Sequence, residues 1–300
     1  MEIHAGKETM QLATLYTRAL TGIDANLVTV EVHISNGLPA FSIVGLPELA
    51  VRESKDRVRA AIINSNFEFP ARKITVNLAP ADLPKDGGRY DLPIALGVLA
   101  ATGQIDASQL GDYEFHGELA LSGALREVSG SLPVAIAAQN DDKKLIMPTE
   151  SAKQAALIDK AAVFAADCLL SVCQHLQGLS QLQQATSDIG HQQSTEIPCM
   201  SDIRGQHRAR RALEIAAAGR HNILMVGPPG TGKSMLASRL PGILPPMSTR
   251  QALESASINS ISSQGFKLEQ WKQRPFRSPH HSASGVALVG GGSQPSPGEI

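Results

Sequence analysis

The chain has 300 residues, enough for two domains of ordinary size, each with its own core. Its 42% hydrophobic and 18% charged residues are globular composition, and a formal net charge of −1 excludes an overall basic character, so any contact with a polyanion has to be local. No apolar run approaches the roughly 18 residues of a membrane helix, and the start of the chain, with Glu2, Lys7, Glu8 and Arg18, has no signal-peptide core. Cys168, Cys173 and Cys199 form no C-x-x-C pair and leave an odd number, so neither a zinc site nor a disulfide framework is indicated and a reducing cytoplasm is expected.

In chain order, a short polar lead is followed by Leu12, Leu15, Tyr16 and Leu20, a weak helical spacing. Leu27 to Ile34 and Phe41 to Val44 are β-branched, alternating runs, and Asn36-Gly37 between them predicts a hairpin. Glu48 to Asn64, entered through Pro47, carries Val51, Val58, Ala61 and Ile62 at amphipathic helix spacing. Strands at Lys73 to Leu78, Glu118 to Leu121, Lys144 to Met147 and Ala162 to Ala165 alternate with helices at Leu92 to Ala101, Leu132 to Gln139, Ser151 to Ile158 and Leu169 to Leu176. Such mixing predicts an α/β or α+β domain over residues 1–175. Glutamines at 174, 177, 181, 183, 184, 192 and 193 then crowd a polar stretch, and residues 176–198 read as a linker.

The second domain, 199–300, opens with Asp202-Ile203-Arg204-Gly205-Gln206, a helix from His207 to Gly219 and a strand from Asn222 to Val226. Directly after it, Gly227-Pro228-Pro229-Gly230-Thr231-Gly232-Lys233-Ser234 satisfies G-x-x-x-x-G-K-[ST], the phosphate-binding loop pattern, between a strand and a helix beginning Met235-Leu236-Ala237. Glycines let successive backbone N–H groups turn inward onto phosphate oxygens. Lys233 is the expected catalytic residue, reaching the β- and γ-phosphates, and Ser234 the expected ligand of Mg²⁺, a hard cation that takes oxygen donors. The expected cofactors are therefore ATP and Mg²⁺. Beyond the loop, Pro241 and Pro245-Pro246 break the chain, Gln251 to Ala256 starts a helix, and a Gly, Ser and Pro-rich tail holds one strand candidate, Val286 to Val289. From Met235 to Ile300 no apolar run ends in Asp or Glu, the second acid-bearing strand that hydrolysis needs, so the chain is expected to be the front part of a longer protein.

Several unrelated motifs agree on one family. Ser35-Asn36-Gly37-Leu38-Pro39, Val44-Gly45-Leu46-Pro47, Val51-Arg52-Glu53-Ser54 and Asn77-Leu78-Ala79-Pro80-Ala81-Asp82-Leu83-Pro84-Lys85, followed by Asp202 to Gln206, the loop and Pro275-Phe276-Arg277-Ser278-Pro279-His280-His281, resemble the ComM/YifB family of magnesium-chelatase-like AAA+ ATPases. The resemblance runs from about Met10 to Ile300, so residues 1–9 read as either a mis-assigned start or an extension. It implies a Lon-protease-like, ribosomal S5 domain 2-like, first domain, followed by the N-terminal part of an AAA+ domain. A ring-shaped homo-oligomer, expected to be a hexamer, and action on DNA as a helicase promoting branch migration in recombination and natural transformation are also implied. A magnesium-chelatase motor subunit and a fragment that binds nucleotide without hydrolysis are the alternatives.

The Lon resemblance can be tested residue by residue. A Lon-type peptidase needs a serine nucleophile and a lysine base. Arg89 stands where the serine would fall and Arg126 where the lysine would, and arginine stays protonated at any working pH, so the first domain is expected to be peptidase-inactive. Arg204, Arg208, Arg210, Arg211 and Arg220 form a local basic cluster, open to a DNA-contacting or a simply solvated reading.

Overall fold

The computed structural model describes residues 12–187, 198–262, 265–291 and 296–299. The chain divides into two compact units, Met1–Asp188 and Ile189–Ile300. The polar lead up to residue 11 and positions 188–197 of the expected linker lie outside the described residues.

The first unit opens with β1 (Leu12–Thr21) and β2 (Asp24–Ser35), paired antiparallel from Leu12 opposite His33 to Thr21 opposite Asp24. The weak helical reading of this stretch is thereby corrected. Ala13, Leu15, Thr17 and Ala19 are buried, a period of two carried largely by small side chains that a search for large apolar residues passes over. The hairpin turns at Gly22, whose φ of 60° lies in the left-handed region that glycine adopts without a Cβ clash.

β3 (Ala40–Val44), α1 (Leu49–Arg52), α2 (Ser54–Asn64) and β4 (Lys73–Ala79) follow. The hairpin expected across Asn36-Gly37 does not form. β3 runs parallel to β4, and β4 inserts between β3 and β2, pairing antiparallel with the latter. The reason is the amphipathic segment after Pro47: as α1 and α2 it makes the crossover that a parallel pair requires, with Val51, Val58, Ala61 and Ile62 buried.

After β4 come α3 (Asp91–Ala101), β5 (Tyr113–Phe115), β6 (Glu118–Leu119), β7 (Leu125–Arg126), α4 (Ser131–Asn140), β8 (Lys144–Pro148), α5 (Thr149–Ala155), β9 (Val163–Ala166) and α6 (Leu169–Leu176). The main sheet has seven strands in the order β3-β4-β2-β1-β5-β8-β9, and β2 alone runs against the rest. This is a mixed α/β unit, the class expected. β6 and β7 form a separate two-stranded ribbon. The free edge of β9 is met by the glutamine-rich segment: Ala165 N–H donates to Gln183 O at 3.1 Å and Ala185 N–H to Val163 O at 2.8 Å.

All eleven residues of α3 are buried, so this helix has no solvent face and packs over β1 and β2. Gly97 makes the approach possible, because a Cβ there would come within 2.4 Å of Val32 Cγ2. Its first residue, Asp91, is a buried carboxylate held by Ser54 Oγ at 2.5 Å, Arg57 Nε at 2.6 Å and the Leu119 N–H at 3.2 Å. Arg18 of β1 makes a second buried tie, donating to Glu114 of β5 at 2.7 and 2.6 Å and to Asp141 at 2.6 Å.

His116 lies beside this tie, buried, with Thr17 Oγ1 at 3.4 Å. Burial, and then the positive charges of Arg89 and Arg18, push its pKa well below the ordinary histidine value. The folded chain therefore holds His116 neutral while the unfolded chain protonates it near about pH 6.5. This contribution to stability is present above that pH and is lost as pH falls toward the folded value. Replacing His116 by glutamine should reduce the drop in urea midpoint between about pH 7.5 and pH 5, followed by circular dichroism. An unchanged drop would show that another group dominates.

Candidate functional site

The second unit is built on a small core. Met200, Ile203, Leu213 and Leu236 are buried together, with Ile223, Met225, Leu240 and Ile243 packed at the margin. Its elements are α7 (His207–Gly219), α8 (Lys233–Ala237), α9 (Leu240–Ile243), α10 (Thr249–Ile261), α11 (Gly285–Val289), β10 (Gly290–Gly291) and β11 (Ser296–Pro297). Val286 to Val289, read from composition as a strand, is helical: Ser284 Oγ caps it by accepting from the Ala287 N–H at 3.2 Å. α10 starts with a full capping box between Ser248 and Gln251.

The strand expected at Asn222 to Val226 is not formed, although its alternation is legible. Ile223 and Met225 turn toward the core while Leu224 and Val226 are 88% and 87% exposed. A strand exists only by pairing, and among the described residues no segment ladders with this one. What precedes the loop is therefore a strand pattern without a partner.

In the loop itself, Gly230 and Gly232 have φ of 79° and 84°, and a Cβ on either would meet nothing within 4 Å. These glycines are needed for backbone conformation and not for tight packing. Thr231 Oγ1 donates to Pro228 O at 2.9 Å. Lys233 folds back over the loop, its Nζ donating to Gly227 O at 2.8 Å and Pro228 O at 2.7 Å, with Thr231 Oγ1 at 3.4 Å. Gly227, Pro228, Pro229, Gly230, Thr231 and Ser234 are exposed. The eight expected residues thus form one surface loop and the start of α8, with the Lys233 ammonium held at the loop's own carbonyls.

Gln206 is a participant whose role the sequence did not disclose. In the left-handed region at φ 54°, its Nε2 donates to Thr231 O at 3.5 Å and ties the turn before α7 to the loop. A non-glycine residue in that conformation is a feature only coordinates reveal. The basic cluster divides. Arg210 donates to Ile203 O at 3.4 Å, whereas Arg204, Arg208, Arg211 and Arg220 are exposed, Arg211 pairing with Glu214 at 3.0 Å. The rings of His280 and His281 lie 4.1 Å apart, tilted by 38°, His280 Nδ1 lies 2.6 Å from Ser282 Oγ, and no group of three or more metal-ligating side chains occurs among the described residues.

In the first unit, the surroundings of Arg89 and of Arg126 both reach Gly117-Glu118. Gly117 N–H donates to Arg89 O at 3.2 Å, Arg126 pairs with Glu118 at 3.5 Å, and Glu118 Oε2 is 2.4 Å from where a Cβ of Gly88 would stand. Arg89 Nη2 lies 3.4 Å from Ser129 Oγ, and neither arginine can act as nucleophile or base. Lys85 is fully buried, donates to Pro80 O, and has its pKa lowered by burial. No helix among the described residues is long and apolar enough to cross a membrane.

Two family descriptions match, "Subunit ChlI of Mg-chelatase" over residues 30–151 and "Magnesium chelatase, subunit ChlI" over residues 199–300, the second containing the loop. YifB of Salmonella typhimurium is 55% identical over 291 residues, 97% of this chain and 57% of that protein. The competence protein ComM of Haemophilus influenzae is 53% identical over 295 residues, 97% of this chain and 58% of that protein. The chain belongs to the ComM/YifB family. A protein of Mycobacterium tuberculosis is similar at 38% over 288 residues, 95% of this chain and 57% of its own. The chain spans a little over half the length of these relatives, and it is a magnesium-chelatase-like AAA+ family member.

Because Leu224 and Val226 already lie in water, changing both to serine should alter the unfolding free energy of the second unit by less than about 0.5 kcal/mol each. Leu213→Ala, which removes a side chain from the small core, should cost about 2–5 kcal/mol. Fluorescence of Trp271, the single tryptophan and buried in this unit, reports both. A large loss from the serine pair would mean that the segment is packed after all.

Proposed function

We propose that the chain is the ATP-binding part of an AAA+ motor that assembles as a ring and acts on DNA in the cytoplasm. The observation that carries this reading is Lys233 held at the carbonyls of Gly227 and Pro228 inside an exposed loop with two glycines in the left-handed region. The residues fit a triphosphate. Exchange of two neutral carbonyls for anionic phosphate oxygens would add an ion pair to hydrogen bonds whose donor is already charged. Lys233 and the loop N–H groups from Gly230 to Ser234 would hold the phosphates, and the exposed Ser234 hydroxyl would offer an oxygen to Mg²⁺. When bound, ATP·Mg²⁺ supplies the phosphoryl transfer that drives a motor.

The DNA half of the reading is supported by kinship with a protein named for competence, and the proposal extends it to a hexameric helicase promoting branch migration in recombination and natural transformation. On this reading the first unit is a peptidase-inactive, Lon-like scaffold, since arginine occupies both dyad positions.

The nucleotide claim is tested by titrating the chain with ATP and Mg²⁺ in a calorimeter. Lys233→Ala should weaken binding by at least about tenfold, the equivalent of one charged hydrogen bond at about 1.5–3 kcal/mol. Ser234→Ala should reduce the dependence of affinity on Mg²⁺. Unchanged affinity in Lys233→Ala would overturn the assignment of this loop.

A further inference from the structure

The main sheet of the first unit has two edges, and one of them is covered. Gln183 and Ala185 hydrogen-bond to β9 on one side, whereas β3 on the other side pairs with β4 and with no second strand among the described residues. An open edge presents free N–H and C=O groups that template another strand, and proteins usually guard it with charge, proline or a covering segment. β3 carries neither charge nor proline, and the stretch from Ile34 to Pro47 holds no Lys, Arg, Asp or Glu.

The strand is seated from within. Phe41 and Ile43 pack against the core of the first unit, with the Phe41 ring 6.3 Å from that of Phe69. On the other face Ala40, Ser42 and Val44 are exposed, and the strand runs between two leucines in water, Leu38 at 88% and Leu46 at 55% exposure. Leu46 is held there against its backbone preference. Gly45 lies so close to Leu78 O that a Cβ on it would overlap, and Leu46 follows in the left-handed region at φ 55°. Ala40 N–H donates to Arg72 O at 3.4 Å, so Ala40, Ser42 and Val44 give their backbone groups to β4, and the alternation turns those of Phe41 and Ile43 to the open edge.

We propose that β3 pairs antiparallel with β3 of a second copy of this chain, about a two-fold axis through Ser42, so that the two sheets become one. This register sets Phe41 of each copy opposite Ile43 of the other, which uses the groups that the open edge presents. Sliding it by two residues either way brings in Pro39, which has no N–H, or Gly45, whose φ of 99° is not extended. The same axis sets Ala40 opposite Val44 and carries Leu38 of one copy to the end of the strand where Leu46 of the other stands, so the uncovered apolar side chains meet each other. A strand from another protein would accept the same hydrogen bonds, but the matched ends and the missing charge suit a copy of β3 itself. A two-fold contact closes on itself and builds no ring, so the inference goes beyond the ring assembly proposed above.

Ser42 would face its own copy across the axis as a non-hydrogen-bonded pair with Cα atoms about 4.5 Å apart, a separation that a disulfide spans. The test is therefore cross-linking of the full chain in a Cys199→Ser background, which removes the exposed native thiol. Ser42→Cys should give a covalent dimer on a non-reducing gel after addition of glutathione disulfide. Ala40→Cys, whose two copies would stand about 13 Å apart, should stay at the level of the background chain. Ser42→Lys, which sets two ammonium groups against each other, should halve the mass measured by light scattering at equal concentration. Circular dichroism and the urea midpoint of the first unit, both expected unchanged, show that the variants are folded.

No dimer from Ser42→Cys, cross-linking of Ala40→Cys as fast as of Ser42→Cys, or an unchanged mass of Ser42→Lys would each overturn the pairing. A wild-type chain that is monomeric in solution overturns it as well and leaves the edge to a strand of another protein.

Discussion

The carboxylate of Asp91 is where the first unit is tied together. It sits at the first turn of a helix that is buried on every side, and it accepts from the side chains of Ser54 and Arg57 on α2 and from the backbone of Leu119 on β6. A helix without a polar face can slide or rotate against a sheet with little penalty, so its register has to be set by something directional. Burial pushes the Asp91 pKa up, and the hydrogen bonds from Arg57 and Ser54 act against that, which is why the partners matter more than the charge. Arg18 and Glu114 serve the sheet in the same way, joining β1 to β5 across a single parallel register. Removing one member of such a buried pair typically costs about 3–5 kcal/mol, because the other is left uncompensated.

The second unit is organised on the opposite principle. The cluster of Met200, Ile203, Leu213 and Leu236 is small, and the loop that carries Lys233 lies in the open. Segments with few buried contacts are the ones a ligand can order, so a loose loop next to an alternating, unpaired segment is suited to responding to a bound phosphate. Lys233 illustrates the point. Its hydrogen bonds to Gly227 and Pro228 satisfy the ammonium locally, and a phosphate offers it stronger partners at the same position.

How much of this was legible in the sequence follows the range of the interactions. The loop was legible because its pattern encodes local backbone geometry, with Gly230 and Gly232 at the positions that adopt positive φ. α3, α4 and α6 were legible because long apolar runs specify helices locally. β1 was not, because three of its four alternating inward positions, Ala13, Thr17 and Ala19, are small and only Leu15 is a large apolar residue. The Asn36-Gly37 hairpin was misread for a different reason: turn chemistry is local, but which strand β2 pairs with was decided by β4, some forty residues further on. The strand at Asn222 to Val226 failed in the same way, its alternation correct and its partner missing among the described residues. The tie from Gln206 to Thr231 is also a product of tertiary placement, invisible until coordinates bring distant residues together.

On the function proposed above, Gly227 to Ser234 is a phosphate cradle that nucleotide orders. Hydrogen exchange of the chain, with and without ATP and Mg²⁺, tests it most directly. Protection should appear at the amides from Gly227 to Ser234, and the buried strands and α3 of the first unit should be unaffected. Unchanged exchange across the loop, with protection appearing in the first unit instead, would contradict it.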